Sequence, residues 1–76
     1  MAELLGDLAR RLVDEPDAVE IEQFEDADGL VLRLHVAPAD IGKVIGKQGR
    51  IARALRTVVR ASAGRGERRV HVEIVD

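Results

Sequence analysis

The stretch Val44-Ile45-Gly46-Lys47-Gln48-Gly49-Arg50-Ile51 decides how this chain folds. Two aliphatic residues lead into a glycine. Two polar residues separate it from a second glycine, and a basic residue and an aliphatic one follow. Glycine ends a helix readily because it takes left-handed backbone angles without a Cβ penalty. The tetrapeptide therefore predicts a tight turn between two helices. Its glycines also let backbone N–H groups come close to an anion, since no Cβ bars the approach.

Outward from the turn, helical periodicity holds on both sides. A long helix starts near Gly49 and ends at Gly64-Arg65-Gly66. Ile51, Ala52, Leu55, Val58, Val59 and Ser62 share one arc of it, and Arg50, Arg53, Arg56 and Arg60 share the opposite arc. Before the turn, a short helix runs from Pro38 to about Ile45. Pro38 suits a first helical turn, and Asp40 suits the positive N-terminal end. Residues 2–13 predict a third helix, with Leu4, Leu5, Leu8, Leu12 and Val13 at helical spacing. Asp7 can pair with Arg11 at i,i+4 there, and Pro16 stops the helix.

Three segments alternate with the period of a strand. Val19 to Glu25 places Val19 and Ile21 opposite Glu20 and Glu22, and Phe24 breaks the pattern. Asp26-Ala27-Asp28-Gly29 is turn chemistry, and Asp-Gly before an apolar run signals a hairpin. Leu30, Leu32, Leu34 and Val36 then line one face of a second strand, opposite Val31, Arg33 and His35. Arg69 to Val75 is the third strand, with Val70, Val72 and Ile74 inward. The expected fold class is α+β, in the order helix, strand, strand, helix, helix, strand. A three-stranded mixed sheet carries the three helices on one face. The first two strands pair antiparallel through the tight turn. The two-helix crossover makes the second and third parallel and right-handed.

The 76 residues predict one domain spanning 1–76, with a thin stability margin and no cysteine to cross-link it. The charge is segregated. Lys43 to Arg69 holds nine Lys/Arg and one acid, Glu67, whereas residues 1–42 hold three basic and eleven acidic side chains. A sequence pI of about 5.6 thus hides a concentrated cationic surface, the footprint expected for a polyanion partner. The acidic run Glu20 to Asp28 reads as a solvated edge that keeps such a partner off the far side. No apolar run reaches the length of a membrane span, and the first residues lack the pattern of a signal peptide, so the expected location is the cytosol.

Other chemistries find little support. No nucleophile–base–carboxylate set is visible, and Thr57 and Ser62 are the only hydroxyl side chains. Gly42-x-x-x-Gly46-Lys47-Gln48 is one residue short of a P-loop between its glycines and has Gln at the magnesium-binding position. His35 and His71, with Glu73 nearby, read as surface residues rather than metal ligands. The chain is therefore expected to be no enzyme and to carry no cofactor or metal. Phe24 is the sole aromatic, which sets the chain apart from RNA binders that stack bases on a sheet.

The motif Val44-Ile45-Gly46-Lys47-Gln48-Gly49, with Leu55 in the following helix, resembles the signature of a KH domain in the prokaryotic, type II arrangement. More narrowly, several segments are similar to the small bacterial single-KH proteins of the KhpA (YlqC) family. They are Leu12-Val13-Asp14-Glu15-Pro16-Asp17, Val36-Ala37-Pro38, Gly42 to Arg50, and the ending Val72-Glu73-Ile74-Val75. The general KH pattern places a large aliphatic three residues after the second glycine, and here that position is Ala52. The resemblance implies a cytoplasmic RNA-binding protein, an RNA chaperone or post-transcriptional regulator, that holds single-stranded RNA at its GXXG loop. Carried onto this chain, Gly46, Lys47, Gln48 and Gly49 and the next helix N-terminus would face the phosphates, flanked by Lys43, Arg50 and Arg53. Ile41, Val44, Ile45, Ile51 and Ala52 are candidates for the aliphatic groove floor. Arg65 and Arg68 would sit in the variable loop. The resemblance also implies self-association and pairing with a larger KH-containing protein, so a scaffold role is the alternative. A homodimer seam is expected at Ala54, Val58 and Ala61, on the flank between the apolar and Arg arcs of the long helix.

Overall fold

A computed structural model describes residues 2–62 and 69–75. Its main elements are α1 (Ala2–Leu12), β1 (Glu20–Asp26), β2 (Gly29–His35), α2 (Ile41–Ile45), α3 (Arg50–Ser62) and β3 (Arg69–Val75). Short 3-10 turns at Pro16–Ala18, Pro38–Asp40 and Lys47–Gly49 punctuate the order. The strands lie in the order β1-β2-β3. β1 pairs antiparallel with β2, and β2 pairs parallel with β3, as the connection lengths predict.

The hairpin turn is held by its own side chain. Asp26 Oδ1 accepts the N–H groups of Asp28 at 2.8 Å and Gly29 at 3.1 Å. Gly29 has a second reason to be glycine that turn chemistry does not reveal. Its φ is +140°, and a Cβ there would lie 2.3 Å from the carbonyl oxygen of Arg69. The start of β3 therefore closes directly against the hairpin.

Leu30, Leu32 and Leu34 of β2 and Val70 and Val72 of β3 face the helices and are buried with Leu5, Ala9, Val44, Leu55 and Val59. Burying a side chain of this size contributes about 1.5–3 kcal/mol over leaving it in water. With one aromatic in the chain, these aliphatics make up the core. Three details differ from expectation. Asp7 pairs with Arg10 at 3.3 Å rather than with Arg11. The helix expected from Pro38 is a 3-10 turn that gives way to α helix only at Ile41. Val31, expected on a polar face, is only 4 % exposed. It lies on the sheet face away from the helices, with Phe24 and His71 as its cross-strand partners. Phe24 in turn carries the Arg33 guanidinium 4.8 Å from its ring centroid. The break in alternation at Phe24 thus places the aromatic on the outer face.

Asp40 is buried, with 1 % of its surface exposed, and joins two parts of the chain. Its Oδ2 accepts the Glu15 backbone N–H at 3.0 Å, and its Oδ1 lies 3.8 Å from the Lys43 ammonium. Lys43 also donates to Asp14. The segment after α1 is thereby latched to α2. Hydrogen bonding to Asp14 is the main cause that raises the Lys43 pKa above its ordinary value. The stabilisation is therefore complete at neutral pH, and it is lost only as pH rises through that raised value. Replacing Asp40 by Ala leaves the Glu15 N–H without its acceptor. Urea unfolding should show a loss of about 1–3 kcal/mol for Asp40→Ala and a smaller loss for Asp40→Asn, which keeps an acceptor oxygen.

Candidate nucleic-acid interface

The connection between α2 and α3 is built on three residues with positive φ. Gly46 has φ +75° and ψ 174°, a region essentially closed to other residues. Gly49 has φ +74°. Gln48, between them, is left-handed at φ 60° and ψ 25°. A non-glycine residue held there costs of order 1 kcal/mol or more, and such strain gathers at functional sites. Within the turn, the N–H of Gly46 bonds to Gly42 O at 2.9 Å and that of Gly49 to Gly46 O at 3.2 Å. The N–H of Arg50 bonds to Lys47 O. Several of the donors expected to face phosphate are thus used inside the turn. Side chains at its tip become correspondingly more important, and both Lys47 and Gln48 are exposed.

The two glycines are required for different reasons. A Cβ on Gly46 would fall 2.6 Å from Cγ1 of Ile51, so α3 comes down directly on this residue. A Cβ on Gly49 would meet nothing within 4 Å. Of the candidate floor residues, Val44 and Ala52 are buried in the core, while Ile41, Ile45 and Ile51 remain half-exposed and can meet a ligand. Lys43 is exposed but already engaged by Asp14 and Asp40.

On α3, Arg50, Arg53 and Arg60 are exposed, as the periodicity predicts. Arg56 differs. It is half-buried, and its Nε donates to the carbonyl oxygen of Val72 at 3.3 Å. It lines a cleft of about 310 Å³ that also involves Arg60, His71 and Glu73. Sequence reasoning placed Arg56 with the solvated arginines and missed this contact. Its position four residues after buried Ala52 was the signal available. Arg50 and Arg53 share a shallow depression of about 340 Å³ with Ala54, Thr57 and Val58. The expected dimer seam and two expected RNA contacts are thus adjacent. Ala61 is exposed further along the helix.

The histidines sit in separate settings. His35 pairs with Glu22 on β1, and Glu73 pairs with Arg33 at 2.8 Å. Among the described residues no group of three or more metal-ligating side chains occurs. Arg65 and Arg68 lie outside the described residues. Among the described residues no helix is long and apolar enough to cross a membrane.

Comparison with known proteins identifies the family. The family model described as KhpA/KhpB, KH domain matches residues 2–74. The chain belongs to that family. Its fold is accordingly a KH domain, with the three-stranded mixed sheet and three helices expected. A relative from Caldanaerobacter subterraneus subsp. tengcongensis, named RNA-binding protein KhpA, is 52 % identical over 75 residues, covering 99 % of this chain and 100 % of the relative. One of the same name from Clostridium acetobutylicum is 51 % identical over 75 residues, with the same coverage. Another from Treponema pallidum is 51 % identical over 74 residues, covering 97 % of this chain and 92 % of the relative. No solved structure gives a significant match to the chain.

The different settings of the two glycines separate their substitutions. Gly46→Ala should lose about 2 kcal/mol or more, combining positive-φ strain with overpacking against Ile51. Gly49→Ala should lose only about 1–2 kcal/mol, from backbone strain alone. Denaturant midpoints at constant m-value check both.

Proposed function

We propose that this KhpA-family chain binds single-stranded RNA without catalysing a reaction. Phosphates pass over the Gly46–Gly49 turn, beside Lys47, Gln48, Arg50 and Arg53. Bases lie toward half-exposed Ile41, Ile45 and Ile51. The observation that carries this reading is the strained turn, which holds two exposed polar side chains at the head of an Arg-rich helix. The name RNA-binding protein borne by relatives about half identical over their full length supports it. A role as an RNA chaperone or post-transcriptional regulator in the cytoplasm is consistent with a short groove that reads little sequence. Arg65 and Arg68 remain proposed contacts on charge alone.

Neutralising three to five phosphates gives a slope of about −2 to −4 for log K against log salt on a single strand. Binding should be micromolar in order and weaker for duplex, as filter or fluorescence titration over a salt series would show. Replacing Lys47 and Gln48 together by Asp adds repulsion at an exposed turn without touching the core. That variant should keep its circular dichroism and melting but lose RNA binding. A flat salt response, equal affinity for duplex, or full binding by the folded double variant would each contradict the proposal.

Self-association is a second property that a specific observation favours. Val58 is 42 % exposed, a large aliphatic open to solvent beside Ala54. Small residues at Ala54 and Ala61 allow a second helix to approach closely, and a small domain gains stability by pairing. In sedimentation across concentration, the wild type should shift toward dimer at high micromolar protein, and Ala54→Glu or Ala61→Glu should hold it as a folded monomer. A wild type that stays monomeric, or a dimer indifferent to both charges, excludes this seam. The same surface is a candidate for the larger KH-containing partner.

A further inference from the structure

The cleft beside β3 differs chemically from the rest of the basic surface. Its polar lining comprises Arg56 and Arg60 from α3, His71 and Glu73 from β3, and Asp26 and Asp28 from the hairpin turn, with Val31 and Val72 as its apolar parts. Two guanidinium groups therefore share the cleft with three carboxylates, of which Glu73 is already paired with Arg33, so Asp26 and Asp28 balance Arg56 and Arg60. A phosphate gains little there, because the carboxylates repel it as the arginines attract it. A flat neutral group bearing both donors and acceptors is the better match.

Arg56 supplies a surface for such a group. Its Nε is bonded to the Val72 carbonyl, which restrains the plane of the guanidinium, and among the described residues neither terminal nitrogen has a partner. Its half-burial separates it from exposed Arg53 and Arg60 on the same helix. Phe24, the chain's one aromatic, lies on the outer sheet face under Arg33 and takes no part in this cleft. Unpaired bases stack on aromatic rings, imidazole included, or on a guanidinium plane, so within this cleft the groups able to carry a base are His71 at its wall and the restrained guanidinium of Arg56. Restraint before binding reduces the ordering entropy lost when the stack forms.

We infer that this cleft takes a nucleobase of the bound strand, stacked on the Arg56 guanidinium, rather than a phosphate. The inference rests on the RNA-binding reading and deepens it. Arg56 becomes a contact to base, distinct in kind from Lys47, Arg50 and Arg53, which meet the backbone.

The test pairs one protein change with one change in the RNA. Arg56→Lys keeps the charge and removes the plane. It should weaken binding of a short single-stranded RNA about tenfold with the salt slope unchanged. A scan of single abasic positions in an oligonucleotide just long enough to fill the groove provides the second arm. With wild-type protein, one position should cost about tenfold when its base is removed, and that cost should vanish in Arg56→Lys while the others persist. The cycle reads the RNA as well as the protein, so a general weakening of the variant does not mimic it. If Arg56→Lys binds like wild type, or if the abasic costs are the same in both proteins, the inference fails while the RNA-binding reading stands. If wild type binds no single-stranded RNA at all, both fall together.

Discussion

The close approach of Ile51 to Gly46 is the constraint on which the rest of the molecule depends. α2 must end and α3 must begin within four residues, with the side chain of Ile51 pressed where a Cβ would otherwise stand. Only a glycine in that region of φ and ψ accommodates the contact. It fixes the angle at which α3 leaves the turn. Val44 and Leu55, from the two helices that the turn joins, enter the same buried cluster as the leucines of β2. It also sends Lys47 and Gln48 outward, since the turn's inner volume is already filled. One steric requirement therefore closes the core and exposes the tip that meets the ligand.

Charge is distributed by the same architecture. The acidic side chains of the edge strand β1 lie apart from the N-terminal half of the basic helix α3, and only its end, at Asp26, reaches the cleft that holds Arg56 and Arg60. β1 is exposed along nearly all its length and carries Glu20, Glu22, Glu25 and Asp26. Such an edge discourages strand addition by other chains and repels a polyanion from the wrong side. Its charges are partly tied down by neighbours, as in the pair of Glu22 with His35. Long-range attraction then guides a nucleic acid toward the turn and α3, and short-range geometry there decides which groups it meets.

Much of this was legible beforehand. Strand and helix periods in an aliphatic chain located every main element, and the lengths of the connections determined which strands run parallel. The GXXG pattern located the turn, and the arginine arc of α3 proved to be largely exposed. Where the reading fell short, the missing information lay in contacts between residues distant in sequence. Lys43 looked like a free cation because Asp14 and Asp40 are brought to it only by folding. Gly29 looked like an ordinary turn glycine because the carbonyl of Arg69 that excludes a side chain arrives from forty residues later. Arg56 looked like its neighbours because helical periodicity ranks residues by direction and says nothing of what waits there.

The sequence by itself determined the elements, the topology, the turn and the charge separation. These follow from local propensity, from pattern period and from counting charges. Tertiary structure alone decided how individual side chains divide their work. It put Asp40 in the interior as a tie between two segments, buried Val31 on the face opposite the helices, and set Arg56 against the β3 edge. The physical reason is the same in each case. Hydrogen bonds and burial depend on positions in space to within a fraction of an ångström, and those positions are set by the whole fold rather than by neighbours along the chain.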